Sequence, residues 1–150
     1  MNYELKELKS YSATAENSDA LSGGGGKENN GRKGCPCIEP LAAGTTKVLL
    51  HKYGSGTIRK IWCTIPPEHP EHLRNLILRM FWDGQENPSV EVPLGDFFGI
   101  DHGRQRNMVT PYVGMQDAKG FNCFIPMPFK KEVVISIEND SDVDVDMFFY

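Results

Sequence analysis

Apolar and polar positions alternate with a period of two through much of the chain beyond Thr45, the signature of half-buried strands. Thr45–Tyr53 (TTKVLLHKY) reads as a first strand and ends at Gly54-Ser55-Gly56. Thr57–Ile65 (TIRKIWCTI) is rich in β-branched and aromatic residues and stops at Pro66-Pro67. Leu73–Trp82 puts Leu76, Leu78, Met80 and Trp82 on one face and Ile77, Arg79 and Phe81 on the other. Both faces are partly apolar, so this strand is expected between two layers or facing a pocket. Val90–Val92 is a short strand, and Pro93 places it at an edge or bulge. Phe121–Ile125, Lys131–Glu138 and Val143–Tyr150 complete a set of about seven strands. The segment 68–75 has room for one helical turn, and no long amphipathic helix is legible. Many short strands with Gly and Pro turns predict an all-β jelly-roll sandwich. Tyr150 ends the sequence inside an apolar alternation, where domains usually end on exposed polar positions. A truncated chain is therefore expected.

Residues 1–44 form a polar, glycine-rich leading segment, and 45–150 the expected jelly-roll domain. Gly23–Gly26 followed by Lys27 invites a phosphate-loop reading. It fails because Leu21 stands where the first glycine belongs and Glu28 where Ser or Thr belongs. Four consecutive glycines are expected as a mobile loop, with closure over a site as the alternative. No repeat of the length seen in solenoids is visible.

Composition narrows the classes. The 150 residues suffice for one domain with a core, at 39% hydrophobic and 24% charged residues. A net charge of −4 with scattered Lys and Arg gives nucleic-acid binding no electrostatic support. No apolar run is long enough for a transmembrane helix, and MNYELKELKSYS lacks the apolar core of a signal peptide, so a cytoplasmic protein is expected. Cys35, Cys37, Cys63 and Cys123 fit no zinc spacing and are expected as reduced, structural thiols.

The densest chemistry lies in Phe81–Gly99, FWDGQENPSVEVPLGDFFG. It combines Asp83, Glu86, Glu91 and Asp96 with Trp82 and three phenylalanines. Carboxylates bond hydroxyls and aromatic faces stack on sugar rings, so a carbohydrate site is the first expectation. Glycoside hydrolysis needs two carboxyls about 5–5.5 Å apart for retention or about 6.5–9.5 Å for inversion. Glu91 and Asp96, if extended, stand about 16 Å apart on opposite faces. Asp83 and Glu86 share a turn, a poor rigid base for catalysis. The segment is thus expected as one wall of a sugar site, its catalytic groups coming from elsewhere. Each residue also has a structural alternative: Asp83 as a turn former before Gly84, Trp82 in phase with the core, Phe97 and Phe98 as core, and Asp83 or Glu91 as partner to Arg79. His69 and His72 flank Pro70-Glu71 and read as a solvent loop. The acids of Asp140–Asp146 lack the Gly and distal Glu of a calcium loop and read as a solvated face. A metal-dependent enzyme built on these groups is the weakest alternative. No G-x-S-x-G elbow is present.

Several strings carry a family resemblance. They are G-x-I-x-x-I-W-x-T (Gly56–Thr64), L-R-x-x-W-D-G-x-x-x-P-S-V-E-x-P-x-G-D-F-F-G (Leu78–Gly99), N-C-x-x-P-M-P-F (Asn122–Phe129) and I-E-N (Ile137–Asn139). Together with the glycine-rich Gly23–Ile38 they resemble glycoside hydrolase family 172. The resemblance implies two tandem jelly rolls, of which this chain is similar to the first, and assembly as trimers or hexamers. It implies retaining α-furanosidase or transglycosylase chemistry on fructofuranose or D-arabinofuranose linkages, with no metal and no organic cofactor. The family's glutamate pair belongs to its second jelly roll, so no catalytic residue is carried over. Trp82, Asp83, Glu86, Glu91, Asp96 and Phe98 are expected as substrate-side wall or structural motif. Gln85 departs from the commoner W-D-G-E string, which puts Glu86 in doubt as a ligand. A non-catalytic carbohydrate-binding or assembly module is the alternative, since jelly rolls serve both uses.

Overall fold

The chain is described by a computed structural model covering residues 7–31, 36–66, 71–104, 106–117 and 119–150. Cys35 and His69, two residues singled out in the sequence, lie outside the described residues. Ten strands and two single-turn α-helices are present among the described residues: β1 (Thr46–Tyr53), β2 (Gly56–Ile58), β3 (Ile61–Thr64), α1 (His72–Asn75), β4 (Leu76–Trp82), β5 (Val90–Pro93), α2 (Leu94–Phe97), β6 (Met108–Val109), β7 (Val113–Gln116), β8 (Gly120–Cys123), β9 (Met127–Phe129) and β10 (Glu132–Asn139). Two four-stranded antiparallel sheets, ordered β1-β10-β4-β5 and β3-β8-β7-β6, are linked by the β2-β9 pair. The result is the expected all-β sandwich.

One ribbon runs through both sheets. Thr46 pairs with Glu138, Tyr53 with Glu132, Gly56 with Phe129, Ile58 with Met127, Ile61 with Cys123 and Thr64 with Gly120. The chain from β1 to β3 thus runs antiparallel to the chain from β8 to β10, with register held to within one residue. A bulge between Val48 and Leu50 makes one such shift. This rolled ribbon is what the jelly-roll expectation requires.

The core fills the space between the sheets. Leu76, Leu78 and Met80 of β4 and Val133, Ile135 and Ile137 of β10 face Cys63, Met115, Phe121 and Cys123 of the second sheet. Alternate residues of β4 point inward, as the period of two predicts, and each large apolar side chain so buried contributes roughly 1.5–3 kcal/mol. Burial raises the thiol pKa of Cys63 and of Cys123, which fits inert, structural cysteines.

Four expectations need correction. The strand expected over Thr57–Ile65 breaks at Arg59-Lys60, where the ribbon crosses from the β2-β9 pair to the second sheet. Pro128 pairs with Thr57 inside β9, a three-residue strand where a missing N–H costs little. Leu73–Asn75, expected in a strand, belongs to α1, and His72, read as part of a solvent loop, opens that helix as a buried residue with 2% of its surface exposed. Val143–Tyr150 is no continuous strand: its pairing is reduced to single bridges of Val145 with Leu41, Phe148 with Ile38 and Phe149 with Thr64. Those bridges still bury Val145 and Phe148, so the tail is held against the core.

The glycine run is anchored. The Glu16 carboxylate accepts the N–H groups of Gly26 (2.6 Å), Glu28 (3.0 Å) and Lys27 (3.3 Å), which lower its pKa. Asn17 lies so close beneath that a Cβ on Gly24 would meet its Oδ1 at 2.3 Å. The three N–H groups that a phosphate loop would offer to a ligand are taken up by the chain's own carboxylate.

Candidate functional site

The signature segment splits into two turns and a strand. β4 ends at Trp82, and the chain reverses through Asp83 (φ 57°) and Gly84 (φ 81°). The left-handed backbone explains the Asp-Gly pair, since both residues adopt it at low cost. Asp83 Oδ1 accepts the N–H groups of Lys131 (2.7 Å), Lys130 (2.8 Å) and Glu132 (3.4 Å). The N–H of Lys131, then that of Lys130, hold this carboxyl below its ordinary pKa. Asp83 therefore pins the turn entering β10 to the end of β4. Gln85, the departure from W-D-G-E, accepts the Ser89 hydroxyl at 2.9 Å and closes the same loop.

Across β4, Arg79 stands directly opposite Glu91 of β5. Its guanidinium donates to Glu91 at 2.6 Å from Nε and to Glu138 of β10 from Nη1. Both partners raise the Arg79 pKa, Glu91 foremost. Asp96 at the end of the segment pairs with Arg74 of α1. Gly95 lets the two turns touch, because a Cβ there would meet Leu73 Cβ and Leu73 O at 3.0 Å. Phe98 is fully buried, edge-on to Phe97 (5.0 Å) and 5.4 Å from Phe121 of β8.

The six residues singled out in the sequence thus take different places. Trp82 packs half-buried against the core, and Phe98 lies inside it. Asp83, Glu91 and Asp96 hold backbone amides or arginines. Glu86 is exposed, with no partner among the described residues. Sequence reasoning missed Arg74 and Glu138 as partners, because a pairing across β10 or between two distant turns leaves no local pattern.

Two concavities lie on the outer faces, and neither is lined by any of the six. One, about 250 Å³, is bordered by Phe81, Gly84, Gln85, Glu132 and Val134 on the first sheet. The other, about 280 Å³, lies on the second sheet between Lys60, Met108, Val109, Thr110, Gly114, Gln116, Asn122 and Phe124. No cluster of three or more potential metal ligands exists among the described residues, and no helix there is long and apolar enough to cross a membrane.

The family model described as GH172 domain-like matches residues 38–148, the span from the Ile38 bridge to the Phe148 bridge. The chain belongs to this family. No curated protein matches it. In this GH172 domain the W-D-G and G-D-F-F-G strings have visible structural uses: they turn the chain, dock α2 on α1 and fill the gap between the sheets.

Proposed function

We propose that this GH172 domain is the non-catalytic, N-terminal jelly roll of a retaining α-furanosidase. Its parent hydrolyses or transfers fructofuranosyl or D-arabinofuranosyl groups and assembles as a homotrimer or hexamer. The observation that carries this reading is the commitment of the signature carboxylates. Asp83 is tied to three backbone amides, Asp96 to Arg74, and Glu91 and Glu138 to one shared guanidinium. An acid and a nucleophile must present free oxygens to the substrate, whereas these two glutamates are both held on one guanidinium. The catalytic pair accordingly belongs to another part of the parent. Glu86, exposed and uncommitted, is the acid of this segment we assign to the sugar side.

The test compares the 150-residue chain with a longer product of its reading frame on aryl α-D-fructofuranoside and α-D-arabinofuranoside. The longer protein should turn over one of them, the 150-residue chain neither, and Glu91→Gln in the longer protein should keep turnover. Turnover by the 150-residue chain that disappears in Glu91→Gln or Glu138→Gln would overturn the reading. A carbohydrate-binding module without its own chemistry is the second reading, favoured by the aromatic and amide lining of the second-sheet concavity.

A further inference from the structure

We propose that the outer face of the second sheet is a saccharide-binding site, centred on the trough between Asn122, Gln116 and Phe124. The cross-strand register builds it. Val109 stands opposite Gly114, Gly114 opposite Asn122, and Asn122 opposite Trp62, so all four share the outward face. Gly114 leaves the middle of this row without a side chain and forms the floor. Phe124, two residues beyond Asn122, stands on the same side with 47% of its surface exposed, and Trp62 with 41%. Lys60 brings its Nζ to 5.5 Å from the Phe124 ring centre, near the outer limit of a cation–π contact, so its donors are loosely held beside the ring.

The lining chemistry selects the ligand. The amides of Asn122 and Gln116 each donate and accept, as a polyol requires. Asn122 Nδ2 spends one weak bond, 3.3 Å, on Gly120 O, and the exposed Gln116 side chain has no partner among the described residues. Thr110 is different: its hydroxyl donates to Val113 O at 2.7 Å and accepts from Val113 N at 2.9 Å, so it shapes the rim. No carboxylate among the described residues lines the trough, which disfavours a cationic ligand. Lys60 alone, without a bidentate partner, is a poor anion clamp. A ring face with neutral two-way hydrogen bonders fits the C–H face and hydroxyls of a sugar. The volume of about 280 Å³ sits just below the usual range for drug-sized ligands, the scale of one or two sugar rings. The choice of a furanose as the sugar rests on the function proposed above, whereas the trough itself does not.

The experiment titrates the isotopically labelled 150-residue chain with an α-D-arabinofuranosyl trisaccharide and, separately, a β-glucopyranosyl trisaccharide, following backbone amide resonances. One of them should shift Gly114, Gln116, Asn122 and Phe124 together. Phe124→Ala should weaken that binding about tenfold, and Gln116→Ala severalfold, with the rest of each spectrum unchanged. Gln116→Ala keeps the test decisive should Phe124→Ala misfold. Binding of the pyranoside alone upholds the trough and counts against the furanosidase reading. Binding of the furanoside by a protein whose parent turns over no furanoside upholds the trough and removes the enzymatic reading. If neither sugar moves these resonances up to its solubility limit, the proposal fails. It fails equally if the chain self-associates and Phe124→Ala renders it monomeric without any sugar response, which would mark a subunit contact.

Discussion

The outer faces of the two sheets differ in how they use polar groups. On the first sheet, Arg79 binds Glu91 and Glu138, and His51 lies 3.2 Å from Glu132. Polar groups there are spent across strands, tying β5, β4, β10 and β1 together. On the second sheet no ion pair joins the strands among the described residues, and amides, a lysine and two exposed aromatic rings stand without strong mutual bonds. The face whose sequence looks richest in catalytic chemistry is the face whose chemistry is internally satisfied. The face with a bland sequence keeps its groups available. A side chain's type shows what it can bind, whereas its cross-strand neighbours decide whether anything is left to bind with.

Substitutions can break or sharpen this contrast. The largest effect should come from Phe98, which serves neither face and fills the space between the sheets. Phe98→Ala should cost about 3–5 kcal/mol by chemical denaturation. A cost under about 1 kcal/mol would place Phe98 on a surface instead.

Next is Arg79→Ala, which strands Glu91 and Glu138 beside each other on the first sheet. It should destabilise by about 1–3 kcal/mol. The triple variant Arg79→Met, Glu91→Gln, Glu138→Gln should recover part of that in the same denaturation assay, because no unpaired charge remains. Absence of recovery would mean that the arginine stem, not its charge, matters.

Asp83→Asn keeps an oxygen in place and removes the charge. The folded chain holds this carboxyl below its ordinary pKa, so the stability it contributes is complete above about pH 4 and fades as pH falls through the lowered folded value. The variant should melt below the parent at neutral pH, and the gap should narrow in acid. A gap that widens in acid would contradict the assignment.

The smallest effect belongs to Glu86→Gln, an exposed position, with stability unchanged to within ~0.5 kcal/mol. Under the function proposed above, any consequence should appear only in the furanoside kinetics of the longer protein.

Much of the fold was legible because burial imposes a period. β4 and β10 alternate inward and outward residues, and the sequence shows that directly. The two-residue β6 is too short for any period to show. The four-residue β7 holds its place by pairing with β8 rather than by its own composition. The tail misled in the other direction: its apolar alternation is real, but its partners at Ile38, Leu41 and Thr64 are split between two segments, so only bridges form. For the site, Asp83 as a turn residue and Glu91 as a partner for Arg79 were both readable alternatives. The second-sheet trough was half-readable, since Asn122 and Phe124 share a strand face. That this face is the outward one depends on Phe121 and Cys123 reaching the core, a fact of packing.

The paired ribbon also bears on how the chain finds its structure. Thr64 meets Gly120 only after everything between them has been looped out, and Thr46 meets Glu138 across a still longer span. The entropy of such closure must be met before most of the pairing can compensate, and chains dominated by distant contacts fold slowly. The β4-β5 hairpin, with Asp83 already seated in its left-handed turn, is the local piece able to form first. β10 can then add to it through the amides that Asp83 collects, and β1 to β10. On this view the W-D-G string acts as a timing device, giving β10 a place to land before the sandwich closes.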